Sequence, residues 1–108
     1  MLLSFLASID SDCTETLGHY NPLGVNHALP SEEPNDALRH VGALGNIVSL
    51  GGVANYDEVC ATEVKLRGDT SIIGRGFTIH EEDDQGGEVD KDNGAAGSRV
   101  ACGNIFLI

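Results

Sequence analysis

Residues 45–55 read Gly-Asn-Ile-Val-Ser-Leu-Gly-Gly-Val-Ala-Asn, and this stretch indicates the fold class most directly. Two β-prone runs, Gly45 to Leu50 and Val53 to Val64, flank a Gly-Gly pair, which is the signature of a β-hairpin. No helix-length segment keeps a 3.6-residue hydrophobic period. Further β-prone segments lie at 77–80 and 99–108. The sequence therefore predicts an all-β domain.

The length of the chain limits what this domain can contain. A chain of 108 residues forms at most one domain with a small core, so we expect residues 1–108 to be a single unit. The apolar opening, residues 1–9, is too short to span a bilayer and lacks the basic start of a secretory signal. We interpret it as a strand or as the remnant of one.

Two long loops separate the predicted strands. The first, Asp10 to Arg39, holds all three prolines, and the second, Glu81 to Ser98, is rich in glycine and acidic residues. Loops of about thirty and eighteen residues in so short a domain are usually functional. The search for chemistry therefore starts there.

Charge excludes several classes of partner. The net charge is −11, with 17 acidic and 6 basic residues, whereas nucleic-acid binding needs clustered Lys and Arg to neutralise phosphates. An anionic membrane surface is excluded on the same ground. Seven carboxylates between Glu81 and Asp92 face a single lysine, so this stretch alone carries −6. We expect it to be a solvated loop.

Cysteine usage favours a reducing compartment. The three cysteines, Cys13, Cys60 and Cys102, cannot all pair within one chain. Because disulfides are rare in the cytosol, the odd count favours a cytoplasmic location.

Histidines concentrate in or beside the two loops. His19 and His27 lie in the first loop, His40 lies at its end, and His80 ends a predicted strand just before the second loop. Imidazole is the commonest protein ligand of zinc and copper. The separations of 8 and 13 residues match no compact metal motif, so spacing alone favours exposed loop histidines without a ligand, by roughly two to one.

The sequence around these histidines resembles one family. Residues 18–22 with His27, and residues 39–47, resemble the zinc loop and following strand of the copper/zinc superoxide dismutases. Residues 71–81 resemble the strand that carries a copper histidine, and 94–103 resemble the closing signature of that family. The resemblance runs from about Cys13 to the C-terminus, roughly the last two thirds of the family domain.

The resemblance implies a fold and a metal centre. The fold would be an immunoglobulin-like Greek-key β-barrel or sandwich, incomplete here, with long zinc and electrostatic loops. His19 would bridge copper and zinc, His27 and His40 would complete the zinc histidines, and His80 would bind copper. The implied cofactors are Zn²⁺ and Cu²⁺/Cu⁺.

Other roles follow from the same resemblance. Arg99 would be the guanidinium that attracts superoxide beside the copper. Asp84 would be the carboxylate that hydrogen-bonds a copper histidine and a zinc histidine. Cys13 and Cys102 would form the family's disulfide, which leaves Cys60 as a buried spectator thiol on a strand.

Departures from the family pattern bear on both metals. The family's His-x-His copper motif corresponds to residues 2–5, Leu-Leu-Ser-Phe, which contain no imidazole. Ala43 stands where the zinc aspartate is expected, and the family's first strands have no counterpart. The carboxylates that remain open as substitutes for the aspartate are Glu32, Glu33 and Asp36.

Two functional hypotheses remain open. The first is an enzyme that converts superoxide into oxygen and hydrogen peroxide, with superoxide as its partner molecule. The second is a non-catalytic zinc-binding or structural remnant of a superoxide dismutase. We expect weak zinc binding, in the micromolar range or weaker, and little dismutase activity. A homodimer and a strand-donating partner chain are also left open.

Overall fold

The computed structural model describes residues 1–6, 18–55, 61–90, 92 and 94–108. These residues form six β-strands and one short 3₁₀ helix, Asp36–Leu38. The strands are β1 Leu2–Leu6, β2 Ala43–Asn46, β3 Val48–Leu50, β4 Val53–Asn55, β5 Gly76–His80 and β6 Arg99–Asn104. The prediction of an all-β fold is confirmed. Cys13 and Cys60 lie outside the described residues.

Two antiparallel sheets make up the architecture. The larger sheet has the strand order β2-β1-β5-β6, and the smaller sheet is the β3–β4 hairpin. The central strands β1 and β5 pair Leu3 with Ile79 and Phe5 with Phe77. The two phenylalanine rings pack with their centroids 5.5 Å apart, so the middle of the sheet is joined by side chains as well as by backbone hydrogen bonds.

Strand β1 presents different chemistry on its two faces, because successive side chains of a strand alternate. Leu3 and Phe5 belong to the buried apolar core. Leu2 and Ser4 are outside that core cluster, yet both are 0% exposed. The other core residues are Tyr20, Val41, Leu44, Ile47 and Ile72. Residues 2–6 of the apolar opening thus form a central strand.

The predicted strand from Gly45 to Leu50 is in fact two strands. Ile47 separates β2 from β3. Its side chain is buried in the core, and its backbone N–H donates to the carbonyl of Met1 at 2.8 Å. This hydrogen bond continues the β1–β2 register by one residue pair, and β3 begins at the next residue.

The second predicted run, Val53 to Val64, is also shorter than expected. Only Val53–Asn55 is a strand among its described residues, and Val64 N donates to Ala61 O in a turn. The final strand ends at Asn104, four residues before the C-terminus. Loops and turns therefore occupy more of the chain than the β-prone pattern indicated.

The β3–β4 hairpin projects its side chains into solvent. Gly51 and Gly52 have φ values of +60° and +81°, as a two-residue turn with both central residues left-handed requires. The side chains of Val48, Leu50 and Val53 are each more than half exposed. Within the described part of the chain, no helix has the length and apolar character needed to cross a membrane.

Candidate metal centre

Backbone hydrogen bonds bring the first loop onto β1. Tyr20 N donates to Phe5 O at 2.9 Å, Phe5 N donates to Gly42 O at 2.7 Å, and Gly42 N donates to Tyr20 O at 2.8 Å. A side chain at Gly42 would place its Cβ 2.3 Å from Phe5 O, so only glycine permits this approach. These hydrogen bonds bring His19 and His40 close together, because His19 precedes Tyr20 and His40 precedes Gly42 by two residues.

Three buried histidines form one cluster. Potential ligand atoms of His19, His27 and His40 all lie within 4.8 Å of one another. The ring centroid of His19 is 5.1 Å from that of His27 and 5.7 Å from that of His40. The Nδ1 atoms of His19 and His40 are 3.5 Å apart. The structure thus unites histidines that are 21 residues apart in sequence.

Asp84 holds the ring of His27 from behind. His27 Nε2 lies 2.7 Å from Asp84 Oδ1, and the two side chains are fully buried. The side chain of Asn46 binds both backbone groups of Asp84, as acceptor from its N–H at 2.7 Å and as donor to its carbonyl at 3.1 Å. The acidic loop is therefore not uniformly solvated, since its Asp84 segment is anchored to β2.

Burial keeps His19 and His40 uncharged at neutral pH. The pKa of His19 falls from 6.5 to about 3, chiefly through burial and then through the neighbouring histidines. Burial is also the main cause of the lowered pKa of His40. Neutral imidazoles keep the lone pairs that a metal ion needs.

Several buried polar atoms of the cluster have no hydrogen-bond partner among the described residues. They are His27 Nδ1, His19 Nε2 and Asp84 Oδ2. Because Asp84 occupies Nε2 of His27, Nδ1 is the ring nitrogen left to a ligand. Three imidazoles with close ring nitrogens suit zinc, which accepts histidine donors at about 2.0–2.1 Å. The donor set fits a zinc ion.

His80 stands beside this cluster in a different state. Its ring centroid is 6.0 Å from that of His19. Its Nδ1 lies 3.1 Å from Gly97 O, and its Nε2 lies 3.2 Å from Ser4 Oγ. A carbonyl only accepts, so Nδ1 carries the proton and Nε2 accepts from the serine hydroxyl. Both ring nitrogens of His80 are thus hydrogen-bonded.

Comparison with known proteins identifies the fold and the cluster. Residues 5–105 match the family model for copper/zinc superoxide dismutase. The chain belongs to this family. It is 43% identical to superoxide dismutase [Cu-Zn] 4 of Dictyostelium discoideum over 104 residues, covering 89% of this chain and 64% of that protein.

Two other relatives agree with this assignment. Superoxide dismutase [Cu-Zn] A of Xenopus laevis is 41% identical over 97 residues, covering 86% of this chain and 61% of its own length. The crystal structure of the clock protein EA4 superposes with a TM-score of 0.83 at 36% identity, covering 99% of this chain and 69% of that one. The chain spans less than two thirds of the two curated relatives.

Membership of this family gives the cofactors, zinc and copper, and supports the Greek-key architecture. The strand expected to carry the His-x-His motif is present as β1, between β2 and β5. Leu2 and Ser4 occupy its site-facing positions. The copper donors are therefore missing as side chains, whereas the strand that would carry them is in place.

The remaining donors do not fit copper. His80 Nε2 is bonded to Ser4, so His19 Nε2 is the nearby imidazole nitrogen with no hydrogen bond among the described residues. Two imidazoles from separate segments do not provide a fixed coordination geometry for a metal that changes oxidation state. Among the described residues, the group that could hold a metal is that of His19, His27 and His40, which fits zinc.

Arg99 lies opposite His80 in the β5–β6 ladder. Its positive charge contributes to the lowered pKa of His19, and to that of His80 after the larger effect of burial. The guanidinium is therefore within electrostatic reach of both rings.

The carboxylates considered as substitutes for the zinc aspartate bind elsewhere. Ala43 is fully buried on β2. Glu32 accepts from backbone N–H groups, Glu33 Oε1 accepts from Asn35 N at 3.0 Å, and Asp36 accepts from Thr62 and from a backbone N–H. Among the described residues, the group that could hold a metal contains the three histidines and none of these carboxylates.

Sequence reasoning did not identify two residues that shape the centre. The sequence indicates Ser4 only as a position without imidazole, whereas in the structure its hydroxyl hydrogen-bonds His80. Asn46 was treated as part of a β-prone run, although it holds Asp84 in place. The resemblance at residues 2–5 could have pointed to Ser4, whereas no local signal distinguishes Asn46.

Proposed function

We propose that this chain is a zinc-binding member of the superoxide dismutase family whose dismutation of superoxide is impaired. The observation that carries this proposal is the contrast in ring nitrogens: His27 Nδ1 is buried without a hydrogen bond, while both nitrogens of His80 are engaged. Zinc would be held by His19, His27 and His40, with water as the fourth ligand.

The role of zinc in this proposal is structural. A bound ion would cross-link the loop that carries the three histidines and would satisfy their buried nitrogens. Asp84 would orient the His27 ring and increase its basicity as a ligand. Zinc has no redox chemistry of its own, so this half of the centre does not oxidise or reduce superoxide.

The family reaction converts superoxide into oxygen and hydrogen peroxide with copper. Here His19 and His80 are the proposed residual copper contacts, and Arg99 would attract the superoxide anion. The acidic loop, at about −6, opposes that attraction over a Debye length of about 8 Å. We therefore propose slow anion capture in addition to an incomplete copper site.

The decisive test uses side-chain replacement on the existing strand. The double variant Leu2→His/Ser4→His restores two imidazoles on the site-facing side of β1. Calorimetric titration of the unmodified chain should give one zinc per chain, with a Kd in the micromolar range or weaker. After copper reconstitution, the double variant should show dismutase activity well above that of the unmodified chain.

One outcome of that assay would reverse the proposal. If the unmodified chain matches the double variant in rate, and His80→Ala abolishes that rate, the copper site is functional. Absence of zinc binding by the unmodified chain would remove the zinc half of the proposal.

The proposal includes the family disulfide between Cys13 and Cys102, within a single domain of residues 1–108. Cys102 lies half-buried on β6. On the chain-entropy model, closing a loop of this length stabilises the fold by roughly 4–5 kcal/mol, less any strain. Non-reducing peptide mapping should recover the Cys13–Cys102 peptide pair, and a dominant Cys60 linkage would contradict it. Cytoplasmic location and dimerisation stay predictions.

A further inference from the structure

Glu32 connects the loop of His27 to the loop of Asp84. Its Oε2 atom accepts a hydrogen bond from Leu29 N at 2.7 Å and another from Gly87 N at 3.0 Å. Leu29 follows His27 by two residues, and Gly87 follows Asp84 by three. One carboxylate oxygen thus joins the two segments that meet in the His27–Asp84 contact.

Glycines allow the two loops to approach closely at this point. A Cβ added to Gly87 would lie 1.9 Å from His27 O, and one added to Gly86 would lie 2.4 Å from Glu32 Oε1. Gly86 N also donates to Asp84 Oδ1 at 2.9 Å. A continuous path of contacts therefore runs from Glu32 through Gly87 and Gly86 to Asp84, and from Asp84 to His27.

The charge of Glu32 strengthens this connection. Hydrogen bonds from the Leu29 and Gly87 backbone lower the pKa of its carboxyl group, so the group is ionised at neutral pH. Hydrogen bonds to an ionised acceptor are stronger than neutral ones. After burial, which acts in the opposite direction, the backbone of Glu88 also lowers the pKa of Glu32.

We propose that Glu32 is a positioning residue that holds the acidic loop against the histidine loop and thereby keeps Asp84 bonded to His27. This inference rests on the proposed zinc function, because its consequence is a slower release of zinc. Glu32 does not bind the metal itself, so it acts through Asp84 and His27. Glu32, which the sequence left open as a substitute zinc ligand, thus positions the site without binding the metal.

The neighbouring Glu33 provides a matched control. Its Oε1 accepts from Asn35 N within the same turn region, and no hydrogen bond among the described residues connects it to the acidic loop. Glu32→Ala removes the acceptor, Glu32→Gln keeps an acceptor oxygen without the charge, and Glu33→Ala removes the same charge one residue away.

The first measurement is hydrogen exchange of residues 84–90 in zinc-free protein. Glu32→Ala should raise their exchange about 3- to 10-fold, as expected for loss of a charge-assisted hydrogen bond. Glu32→Gln should recover most of the protection, and Glu33→Ala should match the unmodified chain. A uniform rise across the whole chain, or no rise at 84–90, would overturn the proposal.

The second measurement is zinc release to a chelator, with the absorption spectrum of Co²⁺-loaded protein as a probe of ligand geometry. Glu32→Ala should release zinc about 3- to 10-fold faster and shift the Co²⁺ bands, with Glu32→Gln intermediate. Unchanged release and spectrum would contradict a positioning role. If the unmodified chain binds no zinc, the proposed function fails, while the zinc-free exchange data still decide whether Glu32 joins the loops.

Discussion

The two halves of the histidine cluster share His19 but are prepared for different states. In the zinc half, two buried ring nitrogens, His27 Nδ1 and His19 Nε2, have no hydrogen-bond partner among the described residues. In the copper half, His80 is bonded by Ser4 on one side and by Gly97 on the other. One half is therefore complete only with a ligand, whereas the other is already satisfied by the protein.

This difference has an energetic consequence. A buried polar atom without a partner costs about 1–3 kcal/mol, so the zinc half is destabilising until its nitrogens bind something. Ser4 removes that cost for His80 by supplying a hydroxyl. Serine at this position of β1 thus satisfies His80 without adding an imidazole donor for copper.

Removal of a zinc ligand should have the largest effect on zinc affinity and should separate the two halves of the cluster. His27→Ala should weaken zinc binding by about 100-fold or more, because it removes one of three protein ligands. His80→Ala should change zinc affinity by less than about 3-fold. Competition titration with a chelating dye measures both. Equal losses in the two variants would show that zinc occupies a site shared by both halves.

A smaller effect is expected from the support behind His27. Asp84→Ala should weaken zinc binding by about 10- to 100-fold, the usual range for a carboxylate that orients a metal-bound histidine. The same titration applies, with circular dichroism to establish that the sheet is retained. Retained zinc affinity in a folded Asp84→Ala variant would mean that the 2.7 Å contact to His27 does not orient the ligand.

The pH dependence of the zinc-free protein follows from the buried histidines. His19 has a pKa of about 3 when folded and an ordinary value of 6.5, so the unfolded chain binds more protons between these values. The free energy of unfolding should therefore fall as pH drops below 6.5. His19 alone should contribute a loss of about 1.4 kcal/mol between pH 7.5 and 5.5.

Urea denaturation at the two pH values measures this loss. The variant His19→Asn should show a shallower dependence, since it removes the most strongly shifted group. A zinc-free protein that becomes more stable as pH falls from 7.5 to 5.5 would contradict the burial of neutral imidazoles.

Removal of the Ser4 hydroxyl should have the smallest effect on metal affinity. Ser4→Ala removes the hydroxyl that bonds His80 Nε2 and adds no copper donor. Copper affinity should change by less than about 3-fold, because the number of imidazoles is unchanged. A large gain from Ser4→Ala alone would show that the hydrogen bond, and not the missing donors, limits copper binding.

Sequence alone predicted the grouping of three histidines, but it predicted less of what surrounds His80. The motifs around His19, His27 and His40 placed three dispersed histidines in one site, and the structure brings their ligand atoms together. Asp84 was predicted to bond a zinc histidine, and it lies 2.7 Å from His27. Such motifs work because a family's ligand spacing reflects a fold that is already known.

Features that depend on tertiary contacts were not predicted. Ile47 is placed by a hydrogen bond to the carbonyl of Met1, and the anchor of Asp84 requires the side chain of Asn46 on β2. Glu32 was considered as a ligand, yet its carboxylate is engaged by Leu29 and Gly87. Each outcome depends on which distant group lies within hydrogen-bond distance in the folded chain. Local propensity does not contain that information.

The β3–β4 hairpin has a consequence for how molecules of this protein meet one another. It displays Val48, Leu50 and Val53 to solvent, and exposed apolar strands are templates for pairing between chains. The net charge of −11 makes approaching molecules repel one another. Salt shortens the range of that repulsion from about 10 Å at 0.1 M to about 3 Å at 1 M. We therefore expect association between chains to increase with ionic strength, with the β3–β4 hairpin as the contact surface.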